Sequence, residues 1–587
     1  MNFIYKQTNT IIKAFGTTIK TINLIYKYEK KHLILIFLTS ILSGITSIIS
    51  INIFGKLIDI VSCKNLSKIC WFILIQTIFA LIVAVLANLK KHLNNKLQLK
   101  LTYRISIDIL QRCTKLTLKD FEDTKTKDNL QYIQSQLGIK PLQTINATLS
   151  IISSLSTITF AICFIAAQKP IILIVMIIPL FTSFLFYIHL STKENKVEQE
   201  CSSYSRKAWY LENLLTSDNT FKEVKFFSIS DYLLNKYKSI EQQTIEQNMK
   251  ISKLELTLST TTSIIKQISF AAILFIIFVP VVVSGVTIGS AVNVFNTMST
   301  LYIQSENISI NFYQIHQSKL YMDKLFSFLK TDKNSLQPKS TINSIENIQV
   351  NQLSFKYPTT ENMVLQDITF SIKKGETIAI IGTNGSGKST LIKLLLGFYK
   401  APTNTIYING IPLDKIDIES VHRRTSILFQ DFTKYELTLR ENVGFGNIQD
   451  LLNSEKIRVA LKESNLNLDF KNDIDQQLGF LFHGGIQLSG GQWKKIAIAR
   501  SFFRDADLYI LDEPSASLDA LSDFKVMKSF LKCTQDKIGI FITHKITNAQ
   551  LADKIILMEN GKISAFGTHQ DLLQKSSNYR ELYKSEN

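Results

Sequence analysis

Long stretches without a single Asp, Glu, Lys or Arg dominate the first half of the chain. Residues 33–55, 69–89, 142–168 and 170–192 are each uncharged, and each reaches the roughly 20 apolar residues that a helix needs to cross a bilayer. A fifth uncharged run, 267–305, is too long for one crossing. Pro280, Gly285 and Gly289 place a turn inside it. Helix five is then expected from about residue 258 to 280 and helix six from 286 to 312. Six spans result, forming an all-α six-helix transmembrane domain. The connections 88–144 and 191–256 are charged yet keep a helical pattern, so the membrane helices should run on well beyond the bilayer. After residue 344 the pattern changes. Ile348, Val350, Leu353 and Phe355 are spaced for a strand, and the rest reads as an α/β domain.

At 587 residues the chain exceeds one compact domain. The expected organisation is a cytoplasmic N-terminal segment (1–32), a transmembrane domain (33–328), a polar linker (329–344, with "TDKNSLQPKSTINS") and an α/β domain (345–587). No cleavable signal peptide is evident, because the first apolar run is long enough to span.

The net charge of +18 would suit nucleic acid, but its placement argues against that partner. Lys and Arg number six in 1–32, eleven in 88–144 and ten in 191–256, against four in all across 54–68, 168–170 and 279–287. The positive-inside rule therefore puts both termini, both long connections and the α/β domain in the cytoplasm of a cell-membrane protein, with lipid as a contact. Six cysteines (Cys63, Cys70, Cys113, Cys163, Cys201, Cys533) lack CxxC spacing and read as reduced thiols. Lys266, Glu306 and the polar run "NVFNTMSTLYIQSENISINF" fall within the spans. They make helix six a candidate for lining a pathway, with interhelical hydrogen bonding as the alternative.

The chemistry lies in the second half. "ETIAIIGTNGSGKSTLIKLLLGFY" reads as a buried strand, a phosphate loop and an apolar helix. The loop comprises Gly382, Thr383, Asn384, Gly385, Ser386, Gly387, Lys388, Ser389 and Thr390. Its glycines let backbone N–H groups wrap phosphates, Lys388 reaches the β/γ oxygens, and Ser389 suits Mg²⁺. "DLYILDEP" delivers two carboxylates at the end of a second buried strand. Asp512 suits a Mg²⁺-bound water, and Glu513 can polarise the attacking water. A second anion-binding loop, Ser489, Gly490 and Gly491 of "LSGGQWKKIAIAR", opens a basic helix about a hundred residues later.

"GTNGSGKST", "LSGGQ", "LYILDEP", "SASLD" and "ITH", in this order after six spans, resemble an ABC half-transporter of exporter type over the whole chain. The resemblance implies an ATP hydrolase coupled to transport, with ATP and Mg²⁺ as cofactors. Its fold would be a RecA-like P-loop core with a helical subdomain. Further roles are implied: Tyr357 as the adenine-stacking aromatic, Gln430 as the loop glutamine near Mg²⁺ and the attacking water, Asp519 as the D-loop aspartate, and His544 as the switch histidine. Two such domains pack head to tail, so the loop from Ser489 to Gln492 would cap the nucleotide held by the partner of a homodimer. Contact helices to the membrane domain are expected around 121–129 and 217–222.

"AWYLENLLTSDNTFKEVKFF", "ILFQDFTKYELTLRENVGFG" and Trp493 after the signature resemble the lantibiotic (nisin-type) translocators. The implied cargo is a lanthionine-bridged precursor peptide, handed over by the lanthionine-synthesis enzymes of a Gram-positive bacterium. Peptide exporters that trim their cargo carry a cysteine-protease domain before the first span; here 32 residues without cysteine precede it, so export without leader cleavage is expected. "FHGGIQ" departs from the family by placing His483 or Gly484 where many exporters have Glu. A multidrug or lipid exporter is the competing reading.

Overall fold

The structure, a computed structural model, describes residues 2–62, 66–283, 287–330, 339–358, 360–466, 473–515 and 518–586. Side chains are described from residue 16 onward, apart from 62, 199, 202, 219 and 585–586. Of the expected features, Gly285, Cys63 and residues 331–338 of the 329–344 linker lie outside the described residues. The chain divides into two compact units. One comprises Met1–Leu116 and Phe121–Asp332, the other Thr117–Asp120 and Lys333–Asn587.

Apolar runs become very long helices in the first unit. They are α1 (Asn2–Ser62), α2 (Leu66–Cys113), the short α3 (Leu118–Glu122, whose first three residues are assigned to the other unit) and α4 (Thr124–Gln136), α5 (Lys140–Gln168), α6 (Ile171–Thr216), the short α7 (Asp218–Phe226), α8 (Ser230–Val283) and α9 (Ile288–Leu329). The expected extensions beyond the spans are present in α2, α6 and α8. Short helices α3, α4 and α7 fall where contact helices were expected. Asp123 starts α4 by accepting from the Thr126 amide at 2.9 Å, which satisfies one of the unpaired N–H groups of a helix start. Helix α1 is interrupted at Glu29 (φ −141°, ψ 55°), four residues before the expected start of the first span.

Among the described residues five helices, α1, α2, α5, α6 and α8, are long and apolar enough to cross a membrane. Large apolar side chains such as Trp71, Leu81 and Val85 stay exposed, as lipid-facing ones do. Helix α9 has the length of a span, but the polar groups of its 293–312 stretch keep it from matching the other five. Pro280 does not mark the turn. It lies inside α8, where its missing N–H leaves the Ile276 carbonyl, four residues earlier, without its helical donor.

Several of the polar groups that suggested a pathway in helix six are engaged inside the unit, while the Tyr302 hydroxyl and Asn293 Oδ1 are buried with no partner among the described residues. Lys266 of α8 donates to Glu306 of α9 at 2.8 Å. Ser154 donates to Gln304 at 2.8 Å and Asn311 to Ser150 at 3.0 Å, both between α5 and α9. Charges and amides in an apolar medium are tolerated when mutually paired, so interhelical bonding accounts for these pairs and the pathway expectation loses much of its support. The close approach of α1 and α9 depends on glycine: a Cβ at Gly289 would meet the Gly55 carbonyl oxygen at 2.0 Å.

In the second unit a four-stranded antiparallel sheet has the order β2-β1-β4-β5, from β1 (Asn347–Phe355), β2 (Leu365–Lys373), β4 (Ile406–Ile408) and β5 (Ile411–Pro412). A six-stranded sheet follows the order β10-β9-β3-β8-β7-β6. It contains β3 (Thr377–Gly382), β6 (Thr425–Leu428), β7 (Leu508–Asp512), β8 (Ile538–Ile542), β9 (Lys554–Glu559) and β10 (Lys562–Gly567). All its neighbours pair in parallel except β9 with β10. Strands β7 and β8 are buried at every position, the signature of a parallel sheet covered on both faces. Helices α10 (Lys388–Leu395), α11 (Ile418–Arg423), α12 (Leu439–Gly444), α13 (Ser454–Glu463), α14 (Gly490–Phe503) and α15 (Ala520–Cys533) complete what the site needs. A separate apolar cluster of α12, α13 and α14, around Leu439, Ile457, Trp493 and Ile496, is the helical subdomain.

Gly289→Ala is expected to force α1 and α9 apart at a cost of about 1–3 kcal/mol. Thermal melting of the purified protein in detergent checks this; an unchanged midpoint would contradict the packing described.

Candidate functional site

The site forms where parallel strands end. Strand β3 runs into the loop 383–387, and α10 begins at Lys388. The loop's curvature needs glycine: Gly387 has φ 101°, and a Cβ there would meet Leu365 Cδ2 at 2.6 Å. Lys388 is largely buried, and its ammonium donates to the carbonyls of Gly382 at 2.8 Å and Thr383 at 2.9 Å. Burial pulls its pKa down, while the charges of Glu513 and Asp512 oppose that pull. Ser386 is also buried, and its hydroxyl has no hydrogen-bond partner among the described residues.

Strand β7 brings the two carboxylates to the same place. Burial first, and the Glu513 carboxylate second, push the Asp512 carboxyl up to about 6, against the opposing hydrogen bond from Ser389 and the charge of Lys388. Asp512 Oδ1 is buried with no hydrogen-bond partner among the described residues. A hydroxyl and an under-coordinated carboxylate oxygen side by side form a hard-oxygen donor set, which fits Mg²⁺. Ser389 and Asp512 are thus the residues that would hold the ion.

Three elements converge on Glu513. Gln430, just after β6, donates from Nε2 to Glu513 Oε2 at 2.8 Å. His544, just after β8, places Nε2 at 2.8 Å from Glu513 Oε1. Lys494 of α14 donates to the Glu513 main-chain carbonyl at 2.6 Å. The residue itself sits at φ 51°, a left-handed backbone that a glutamate adopts only when its surroundings impose it. Lys494 was not among the residues picked out from the sequence. The sequence carried no signal for it, since only the structure shows that this lysine is 3% exposed and so must have a specific partner.

The remaining expected residues lie in other settings. The Tyr357 hydroxyl is 2.9 Å from Thr390 Oγ1, and its ring meets Phe355 and Tyr399 edge-on, so part of the residue belongs to the β1 core. Ser489 caps α14 by accepting from the Gln492 amide at 3.3 Å, and Gln492 Oε1 accepts from the Ser489 amide at 2.8 Å. Ser489 and Gly490 are exposed. Asp519 caps α15 through Ser522, at 3.2 Å to its amide and 2.9 Å to its hydroxyl. Lys388, Asp512, Glu513, Gln430 and His544 therefore form one cluster, whereas the hydrogen bonds of Ser489, Gln492 and Asp519 are local to their own helix starts.

Comparison with known proteins gives a consistent picture. Residues 365–516 match the ABC transporter family model, and residues 33–305 that of the ABC transporter transmembrane region. The subtilin transport ATP-binding protein of Bacillus subtilis is 35% identical over 97% of this chain and 94% of its own length. The nisin transport ATP-binding protein of Lactococcus lactis subsp. lactis is 32% identical over 96% of this chain and 95% of its own. The solved structure of a bacterial Atm1-family ABC exporter with ATP bound superposes with a TM-score of 0.83 at 17% identity, covering 95% of this chain and 98% of that one.

Asp512 gives a pH-dependent prediction. Its carboxyl keeps a proton up to about 6 in the fold but only to 3.8 in the unfolded chain. The folded state therefore binds the extra proton between those values, and stability falls as pH rises through that window. Asp512→Asn removes the cost. Without nucleotide it should melt above the wild type at neutral pH, with the gap closing as pH drops through about 6, while Mg²⁺-dependent hydrolysis is lost. A variant that melts lower at neutral pH would contradict the burial argument.

Proposed function

The chain belongs to the ABC transporter family, as an ATP-hydrolysing membrane half-transporter, and from that premise we propose that it exports a lanthionine-bridged precursor peptide across the cytoplasmic membrane. The observation that carries the cargo is the near full-length match, membrane domain included, to the subtilin and nisin transport proteins. We read α9 as the sixth span, both termini as cytoplasmic and the working form as a homodimer. The uneven placement of Lys and Arg supports the orientation, and the exposed, locally capped loop at Ser489 supports the dimer. That loop offers a hydroxyl and a helix N-terminus to an anion, and in a head-to-tail pair the anion is the partner's ATP.

The chain's own residues suit the hydrolytic step. On nucleotide arrival Lys388 exchanges the carbonyls of Gly382 and Thr383 for phosphate oxygens. Glu513, its carboxylate fixed by Gln430 and His544 and its carbonyl by Lys494, orients and deprotonates the attacking water. Mg²⁺, when bound at Ser389 and Asp512, neutralises developing charge on the phosphates. Loss of the γ-phosphate removes the charge-assisted contacts that hold the two copies together, and the membrane helices reset. The leader stays on the cargo; a trimmed product after incubation with a leader-bearing peptide would refute that point.

Glu513→Gln should lower ATP hydrolysis about a hundredfold or more while ATP binding survives; full hydrolysis by this variant would remove Glu513 from the role. For the cargo, cells lacking the chain should retain a bridged peptide that complementation returns to the supernatant. A supernatant unchanged by the deletion would refute peptide export and leave a drug or lipid as cargo.

A further inference from the structure

Outside the cluster on Glu513, the ATP-binding unit buries another carboxylate that the hydrolytic step has not used. Asp523 stands in the first turn of α15 and is only 3% exposed. Its Oδ2 accepts from Lys545 Nζ at 2.8 Å and from Asn548 Nδ2 at 3.1 Å. Its Oδ1 is buried with no hydrogen-bond partner among the described residues. Two donors from one short segment therefore carry the compensation of a charge that is costly to bury. Lys545 itself is exposed, and its ammonium nevertheless reaches inward to this partner.

The segment that supplies both donors also carries His544. After β8 the chain runs through Thr543, His544 and Lys545 into the four-residue α16 (Ile546–Ala549), whose start has no side-chain cap. The His544 side chain is exposed, so packing does not fix its ring and the path of the loop must. Thr543 donates its amide to the Ile380 carbonyl at 3.2 Å, and the Lys545 amide donates to Thr543 Oγ1 at 3.0 Å. The far end of the loop is tied down by the side chains on Asp523. The turn that receives them is anchored in its own right: Ser522, the preceding residue, accepts from Lys495 of α14 at 2.9 Å. Lys495 follows Lys494, which holds the Glu513 carbonyl. Burial lowers the pKa of Lys494, and the charges of Glu513, Asp512 and Asp523 oppose that fall. Two of the three groups that fix Glu513, His544 and Lys494, thus each have a neighbouring lysine fastened to one turn of α15.

We propose that Asp523 and Lys545 are positioning residues of ATP hydrolysis, fixing the loop 543–545 so that His544 meets the Glu513 carboxylate. The pair acts through His544, and the assignment rests on the hydrolytic roles given to Glu513 and His544. A misplacement of about 1 Å can cost up to about a hundredfold in rate. Loosening this loop should therefore slow the chemical step and leave ATP affinity as it is.

The test uses the full chain in nanodiscs, with ATP hydrolysis, ATP binding and thermal melting measured on the same samples. Lys545→Ala should lower kcat about tenfold with KM unchanged, and Lys545→Arg should restore most of the rate. Lys545→Ala also leaves Asp523 uncompensated and should melt lower. Adding Asp523→Asn removes that charge, so the double variant should regain the melting temperature while kcat stays low. If kcat returns together with the melting temperature, the pair serves the fold alone and the proposal is overturned. In a His544→Ala background, Lys545→Ala should bring no further loss in single turnovers; an equal further loss overturns action through His544. His544→Ala by itself separates this from the hydrolytic reading. Unchanged hydrolysis there removes the histidine from the reaction and the proposal with it, whereas a loss there beside a normal kcat in Lys545→Ala overturns the positioning role alone.

Discussion

Two carboxylates at the end of one buried strand repel each other and lack water, and the ATP-binding unit is organised around tolerating them. Asp512 ends the fully buried β7 and Glu513 follows it, and burial is the largest cause of the raised Asp512 carboxyl. Compensation comes from every side: Ser389 and Lys388 from α10, Gln430 after β6, His544 after β8 and Lys494 from α14. Gln430 and His544 have fixed places because the parallel strands they follow end beside β7, and α10 and α14 bring up the other three groups. Hydrogen-bonded and cationic partners lower the cost of a buried charge without removing it. The site is left with an unpartnered oxygen on Asp512 and an unpartnered hydroxyl on Ser386, a state that ATP and its metal suit better than any further side chain.

The membrane unit meets the same constraint in the opposite setting. There the medium is apolar, so polar groups must find each other rather than a ligand. Lys266 with Glu306, Ser154 with Gln304 and Ser150 with Asn311 do so across helix pairs. These contacts make α9 a helix held by α5 and α8, and they remove the main argument for treating its polar run as a conduit. Glycine performs a related task at the other end of α9, where Gly289 lets its own amide reach Asp59 at 2.7 Å.

Motifs with a fixed spacing were the most legible part of the sequence. The phosphate loop, the carboxylate pair, Gln430 and His544 meet in one cluster because each sits at the end of a strand whose apolar run is easy to see. Long uncharged stretches coincide with the apolar parts of α1, α2, α5, α6 and α8, although helix ends were not visible: α2, α6 and α8 continue far past those parts. Pro280 misled because a proline near a helix end is compatible with helix as well as with a turn. The break at Glu29 has no glycine or proline to announce it. Lys494 was overlooked because its function depends on burial, which a motif of charged residues does not reveal. Tyr357 was assigned by likeness alone, and its contacts show that one ring can serve the core as well as a ligand.

The proposed pairing of Lys388 in one copy with Ser489 in the other remains the central claim, and mixed dimers test it most directly. One copy would carry Lys388→Ala and the other Ser489→Arg, with nucleotide trapping measured in dimers purified through two different tags. If the loops act across the interface, the mixed dimer keeps one intact site and traps about half the wild-type nucleotide, while each variant alone traps little. If the mixed dimer traps nothing beyond the single variants, each copy closes its own loops on its own ATP, and the account is wrong.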